Sequence, residues 1–192
     1  MSGQPSAYGR LMEAGTGDPF DRHVFACAVA IGLGEAPTPL TAALGLSIDD
    51  LVAVFAAYFP RAVPMLADLP PDDATTDAPE EPDLRALLLD HRSEGAPAET
   101  ALAAIVARRS CRSNHLWQDM GLFDRKELNR LLHRHFRPLA AQNINDMKWK
   151  KFFYRKLCEQ DGLLVCRSPN CDVCADKAHC FGPETGDRLT WG

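Results

Sequence analysis

Pro97-Ala-Glu-Thr-Ala-Leu-Ala-Ala-Ile-Val-Ala-Arg-Arg109 is the stretch on which the fold turns. Proline stands early, where its missing amide hydrogen costs nothing. Glu99 falls in the first turn and Arg108 and Arg109 in the last, the two ends at which a helix dipole favours those charges. The segment reads as a helix. The same grammar recurs on both sides of it. Phe20–Leu33 is apolar-rich, with Asp18 as N-cap, Pro19 at the first helical position and Gly32 and Gly34 at its end. Ser47-Ile-Asp-Asp50 caps a helix running through Leu51, Val54, Phe55 and Tyr58 and breaking near Pro60 and Pro64. Residues 84–91 form a short helix. Asp124-Arg-Lys-Glu127 has the form of a capping box and leads through Leu128, Leu131, Leu132 and Phe136 to Pro138. Ile144–Gln160 is expected to be the last helix, with Gly162 as its stop. No strand-type alternation of useful length occurs. The expected fold is all-α: a helical domain over 1–160, then an irregular cysteine-rich metal-binding tail over 161–192.

Between the helices, Ala36–Leu40 is a connector and Cys111–Leu122 an irregular segment dense in polar groups (His115, Trp117, Gln118, Asp119). Residues 68–83 carry four prolines and seven acids without apolar periodicity, and are expected to be an exposed loop inserted in the helical domain.

The net charge of −5 hides an asymmetry. Residues 1–96 hold five Lys/Arg against fifteen Asp/Glu, and residues 97–192 hold sixteen against eleven. Between Ala104 and Lys156 the count is thirteen basic to four acidic. A field of that sign draws anions or an acidic partner. No apolar run reaches the length of a membrane span, and Met1–Arg10 is polar with no signal-peptide core, so the expected location is the cytoplasm.

Four of the seven cysteines fall in one fifteen-residue run, Cys166, Cys171, Cys174 and Cys180, spaced C-x4-C-x2-C-x5-C. An odd total and no export signal argue against a disulfide framework. Polar residues between the thiols, Asn170, Asp172, Asp176 and Lys177, argue against burial as small hydrophobes. A metal or cluster site is the leading reading. The C-x4-C-x2-C portion matches plant-type ferredoxin spacing and favours an iron–sulfur cluster, while a four-thiolate zinc site stays open. Cys158 is either a further thiolate near that site or a helix-end residue, and Cys27, set among alanines and valine, is expected to be buried and inert. His23 reads as a surface or helix-flank residue rather than a ligand, and neither His133 nor His135 as a ligand. No nucleophile–base pair or phosphate-binding glycine loop stands out, so no catalytic residue is assigned.

Three segments together resemble the NifQ family of nitrogen-fixation proteins: His115-Leu-Trp-Gln-Asp119 with Gly121-Leu122, Asp146-Met-Lys-Trp-Lys-Lys-Phe-Phe-Tyr-Arg155, and the cysteine run continuing into Phe181-Gly-Pro-Glu184. The full cysteine spacing is that family's signature. The resemblance implies a carrier, not an enzyme. It would hold a molybdenum–iron–sulfur cluster on Cys166, Cys171, Cys174 and Cys180, and pass molybdenum to the scaffold and iron protein that build the nitrogenase iron–molybdenum cofactor. Molybdate is the implied small-molecule partner. His179, beside Cys180, is a candidate exchangeable ligand, and Lys148, Lys150, Lys151, Arg155 and Lys156 would attract the anionic cargo. Two readings from the residues alone compete: a zinc-stabilised nucleic-acid or protein-binding module, and a simple iron–sulfur electron carrier. The acidic chain and the apolar character of its basic helix weigh against nucleic acid, and no membrane partner is expected.

Overall fold

A computed structural model describes residues 6–67, 78–160, 162 and 177–189. Among these every regular element is helical. In chain order they are α1 (Ala7–Ala14), α2 (Pro19–Leu33), α3 (Leu40–Leu44), α4 (Ile48–Tyr58), a 3-10 helix (Pro60–Leu66), α5 (Glu81–Asp90), α6 (Pro97–Ser110), α7 (Leu116–Asp119), α8 (Arg125–His135), α9 (Arg137–Ala140), α10 (Trp149–Gln160) and α11 (Lys177–Phe181).

The caps foreseen from local sequence are present. Asp18 accepts from the amides of Phe20 and Asp21 at 2.9 and 3.0 Å and starts α2. Ser47 accepts from Asp50 at 3.1 Å at the head of α4. Asp124 accepts from Glu127 at 3.0 Å, and the Glu127 carboxylate returns to the amide of Phe123 at 2.8 Å, fixing α8 from both directions. Glu99 does more than sit in a first turn: its carboxylate gathers the amides of Glu94, Gly95 and Ala96, and the side chain is buried.

Two helices form the centre. α2 is buried without a break from Val24 to Gly32, and α6 from Ala101 to Ser110. A helix covered on every side must lie inside the protein. α6 packs chiefly on α5, α2 on α1 and α3, and α3 bridges the two. Phe25, Phe55, Phe59, Phe136 and Phe153 are completely or almost completely covered in one continuous core. Each such side chain contributes about 1.5–3 kcal/mol over its exposed state. As expected, Cys27 lies in this core, fully covered.

Several expectations need correction. Residues 81–83, assigned to the exposed loop, are the first turn of α5, and Glu81 is buried. Residues 68–77 of that loop lie outside the described residues. Ala36–Leu40 leads at once into α3, whose cap Gly45 has φ of +68°, a conformation costly for any side chain with a Cβ. α10 begins at Trp149 and not at Ile144. Asn143 both donates to the Met147 carbonyl and accepts from its amide at 2.9 Å, closing a turn ahead of the helix. Nor is α10 the last helix, since α11 comes after it. Nor is His23 a surface residue: it lies in α2, is only 12 % exposed and ties Tyr8 (2.9 Å) to Glu127 (3.1 Å).

Candidate functional site

Cys180 is the one member of the cysteine run within the described residues; Cys166, Cys171 and Cys174 lie outside them. It sits half-buried on α11 and packs against the core. The amide of Lys148 donates to its carbonyl at 2.9 Å, so the end of the run is fastened just ahead of α10. Beyond α11 the chain forms a strap laid back over the helical body. Gln118 Nε2 donates to the Asp187 carbonyl at 2.7 Å, while Gln118 Oε1 accepts from the His115 amide at 3.2 Å. Gly186 has φ of +126°, a backbone conformation that residues with a Cβ rarely adopt, and it lies against the Gln118 amide. Glu184 is 4 % exposed and faces Arg125 at 3.5 Å and His115 at 3.8 Å. Arg188 stacks its guanidinium on Phe123, 3.8 Å from the ring centre.

The strap, α7 and the start of α10 enclose a cavity of about 560 Å³. Lys148, Lys150 and Lys151 line it together with His115, His179 and Glu184. Lys150 is committed to the protein: Nζ donates to Asp119 Oδ2 and to the Arg112 carbonyl, each at 2.6 Å. Burial draws its pKa down against the pull of Asp119. Lys148 and Lys151 have no carboxylate partner among the described residues. The irregular polar segment of the sequence is thus one wall of the cavity and the basic helix another.

His179 is exposed on the cavity wall. Cys158 is half-buried on α10. Among the described residues no three His, Cys, Asp or Glu side chains converge as a metal would require. The described part of the chain therefore supplies one thiol of the run and a cationic wall, and any complete donor set needs the rest of the run. Thiolate is a soft donor suited to iron–sulfur chemistry, so the donor type fits such a cargo.

One arrangement was not visible in the sequence. Cys27 Sγ lies 3.7 Å from the His23 ring nitrogens, and His23 Nε2 lies 3.1 Å from Glu127. A thiol, an imidazole and a carboxylate in series resemble a nucleophile with its base. Burial, reinforced by Glu127, pushes the Cys27 thiol far up, and its side chain is fully covered. A neutral thiol with no access to substrate packs the core and attacks nothing. The His115–Glu184 contact was also hidden, because the partners are far apart in the chain and neither carries a local signal of the other.

No helix among the described residues is long and apolar enough to cross a membrane. A family model described as NifQ matches residues 24–182, a span that includes all four cysteines of the run. The chain is 43 % identical over 176 residues to a "Protein NifQ homolog" of Sinorhizobium fredii, covering 89 % of this chain and 76 % of that one. It is 42 % identical over 156 residues to "Protein NifQ" of Rhodobacter capsulatus, covering 81 % and 82 %. It is 50 % identical over 102 residues to "Protein NifQ" of Azotobacter vinelandii, covering 53 % and 52 %. No solved structure matches the chain.

Proposed function

The chain belongs to the NifQ family of nitrogen fixation, and from that premise we propose that it carries molybdenum and delivers it to the proteins that build the nitrogenase iron–molybdenum cofactor. The cargo is a molybdenum–iron–sulfur cluster held by Cys166, Cys171, Cys174 and Cys180. The acceptors are the scaffold and the iron protein of that assembly, all in the cytoplasm. The chain acts as a carrier and not as an enzyme.

The observation that carries this reading is the family match running through the whole C-x4-C-x2-C-x5-C segment. The chemistry agrees with it. Three of the thiolates serve three irons of a cubane-type cluster, and the fourth, or an oxygen or nitrogen donor, holds molybdenum exchangeably, as a donor requires. An anionic thiolate-bound cargo gains from the cationic wall beside Cys180.

Purification without air followed by elemental analysis tests the proposal. Iron together with molybdenum is the expected result. One equivalent of zinc would replace it with the zinc-module reading, and iron alone with electron transfer.

A further inference from the structure

Resting on the carrier reading, we propose that the cavity between α7, α10 and the strap is a binding site for a free tetrahedral oxyanion dianion, held by Lys148 and Lys151 without any sulfur ligand. Three observations converge on it. First, the wall is cationic in a way the protein does not itself use. Lys150 is neutralised by Asp119 at 2.6 Å, while Lys148 and Lys151 face the cavity with no carboxylate partner among the described residues. Two uncompensated ammonium groups match two negative charges. Glu184, the lining carboxylate, faces Arg125 at 3.5 Å, a guanidinium it shares with Asp146 at 2.8 Å, and the two lysines outnumber it.

Second, α10 starts at this cavity and runs twelve residues away from it. Its first-turn amides, at Trp149, Lys150 and Lys151, have no acceptor inside the helix and carry the positive end of its dipole. Lys148, Lys150 and Lys151 line the cavity at that end of the helix, and a cationic lining favours an oxyanion over a metal cation. Third, the space is concave and about 560 Å³. Each water takes about 30 Å³, so a small oxyanion enters with much of its hydration and is held partly through water. The site is therefore selective for charge and size and modest in affinity. His115 and His179 complete the wall and offer further donors.

Position gives the site its meaning. The Cys180 carbonyl is bonded to the Lys148 amide at 2.9 Å, so the last thiol of the cluster run and an anion-binding lysine are fastened to each other. The cavity holds the oxyanion form of the cargo metal next to the thiolates, where the local concentration of that anion is raised.

The test is equilibrium dialysis of molybdate against the full-length, metal-free protein, with sulfate as competitor. Wild type is expected to bind one molybdate saturably, with affinity falling as salt rises. Lys148→Gln and Lys151→Gln should each weaken binding about tenfold or more, as loss of a charge-assisted hydrogen bond does. Lys126→Gln, on the exposed face of α8, should leave it unchanged, and far-ultraviolet circular dichroism confirms that each variant is folded. The triple variant Cys166→Ser, Cys171→Ser, Cys174→Ser should bind as wild type does. Absence of saturable binding, equal binding by the lysine variants, or loss of binding in the cysteine variant would each overturn the site. The outcome separates from that of the carrier reading. Iron and molybdenum in the air-free protein without oxyanion binding removes this site alone. Saturable molybdate binding by the metal-free protein, with no iron in the protein purified without air, upholds this site and removes the cluster carrier.

Discussion

Arg108 Nε meets Glu81 Oε2 at 2.5 Å with both side chains almost fully covered, 8 % and 4 % exposed. A second buried guanidinium, that of Arg109, reaches Glu35 at 2.5 Å. Desolvation draws the Arg109 pKa down, and the Glu35 carboxylate works against that shift. Such pairs add little over well-packed apolar residues, but removing one partner strands a charge in the interior. Glu81→Ala is therefore expected to cost about 3 kcal/mol or more, read as a fall in the urea midpoint at unchanged slope. A loss below about 1 kcal/mol would mean that the pair behaves as a surface ion pair. This site was illegible in the sequence for a physical reason. Glu81 is surrounded by prolines and acids, which by themselves dictate exposure. Its burial is decided by an arginine on another helix, 27 residues away, and by the Arg85 and Arg108 contacts to the Gly45 and Ala42 carbonyls at the end of α3.

At the scale of the element, what could be read was what short-range chemistry settles. α2 and α8 were legible because Asp18 and Asp124 sit one residue ahead of them and accept from their own first-turn amides. α10 was drawn too long because Lys148 and the apolar residues before it continue the pattern, while the Asn143 side chain competes for the backbone of Met147. α3 and α11, five residues each, are too short to show a period, and contacts with distant parts of the chain hold them. The Asp18 cap gives a prediction with a pH sign. The Asp21 amide above all, helped by the Phe20 amide and Arg134, holds the Asp18 carboxyl below the usual carboxylate range against the opposing effect of burial. A depressed folded-state pKa contributes stability that is present above the unfolded value and lost as pH falls through the folded one. Asp18→Ala should then cost about 1 kcal/mol near neutrality, and that difference should shrink as pH drops through and below about 4. Thermal melts of both proteins across this range measure it. A gap that stays constant into acid would show that the ionised carboxylate contributes nothing beyond a neutral cap.

For the whole molecule, the lopsided charge of the sequence is largely spent inside the fold. Arg108, Arg109, Arg112, Arg125, Arg134, Lys150, Arg155 and Lys156 all lie in the basic stretch, and each meets a carboxylate. The acids opposite Arg108, Arg109, Arg112 and Arg134 are Glu81, Glu35, Asp18 and Asp21, all from the acidic half. His135 adds a bond to Asp21 at 3.0 Å, with both side chains buried. The sequence showed a basic half and an acidic half but not that each is the other's counter-charge, because composition carries no pairing. Halves stitched in this way should unfold together. Every tryptophan of the chain lies in the second half, and Trp117 and Trp149 are buried there, so fluorescence reports that half alone. Far-ultraviolet circular dichroism reports helices of both, including α2 and α4. Urea unfolding monitored by the two probes is expected to give one shared midpoint, as a single cooperative unit does. If the acidic half formed a separate unit, circular dichroism would show a second transition to which the tryptophans are blind. The ion pairs across the halves would then be contacts between two independently stable pieces, and the cationic cavity would sit on a basic module that folds without its acidic partner.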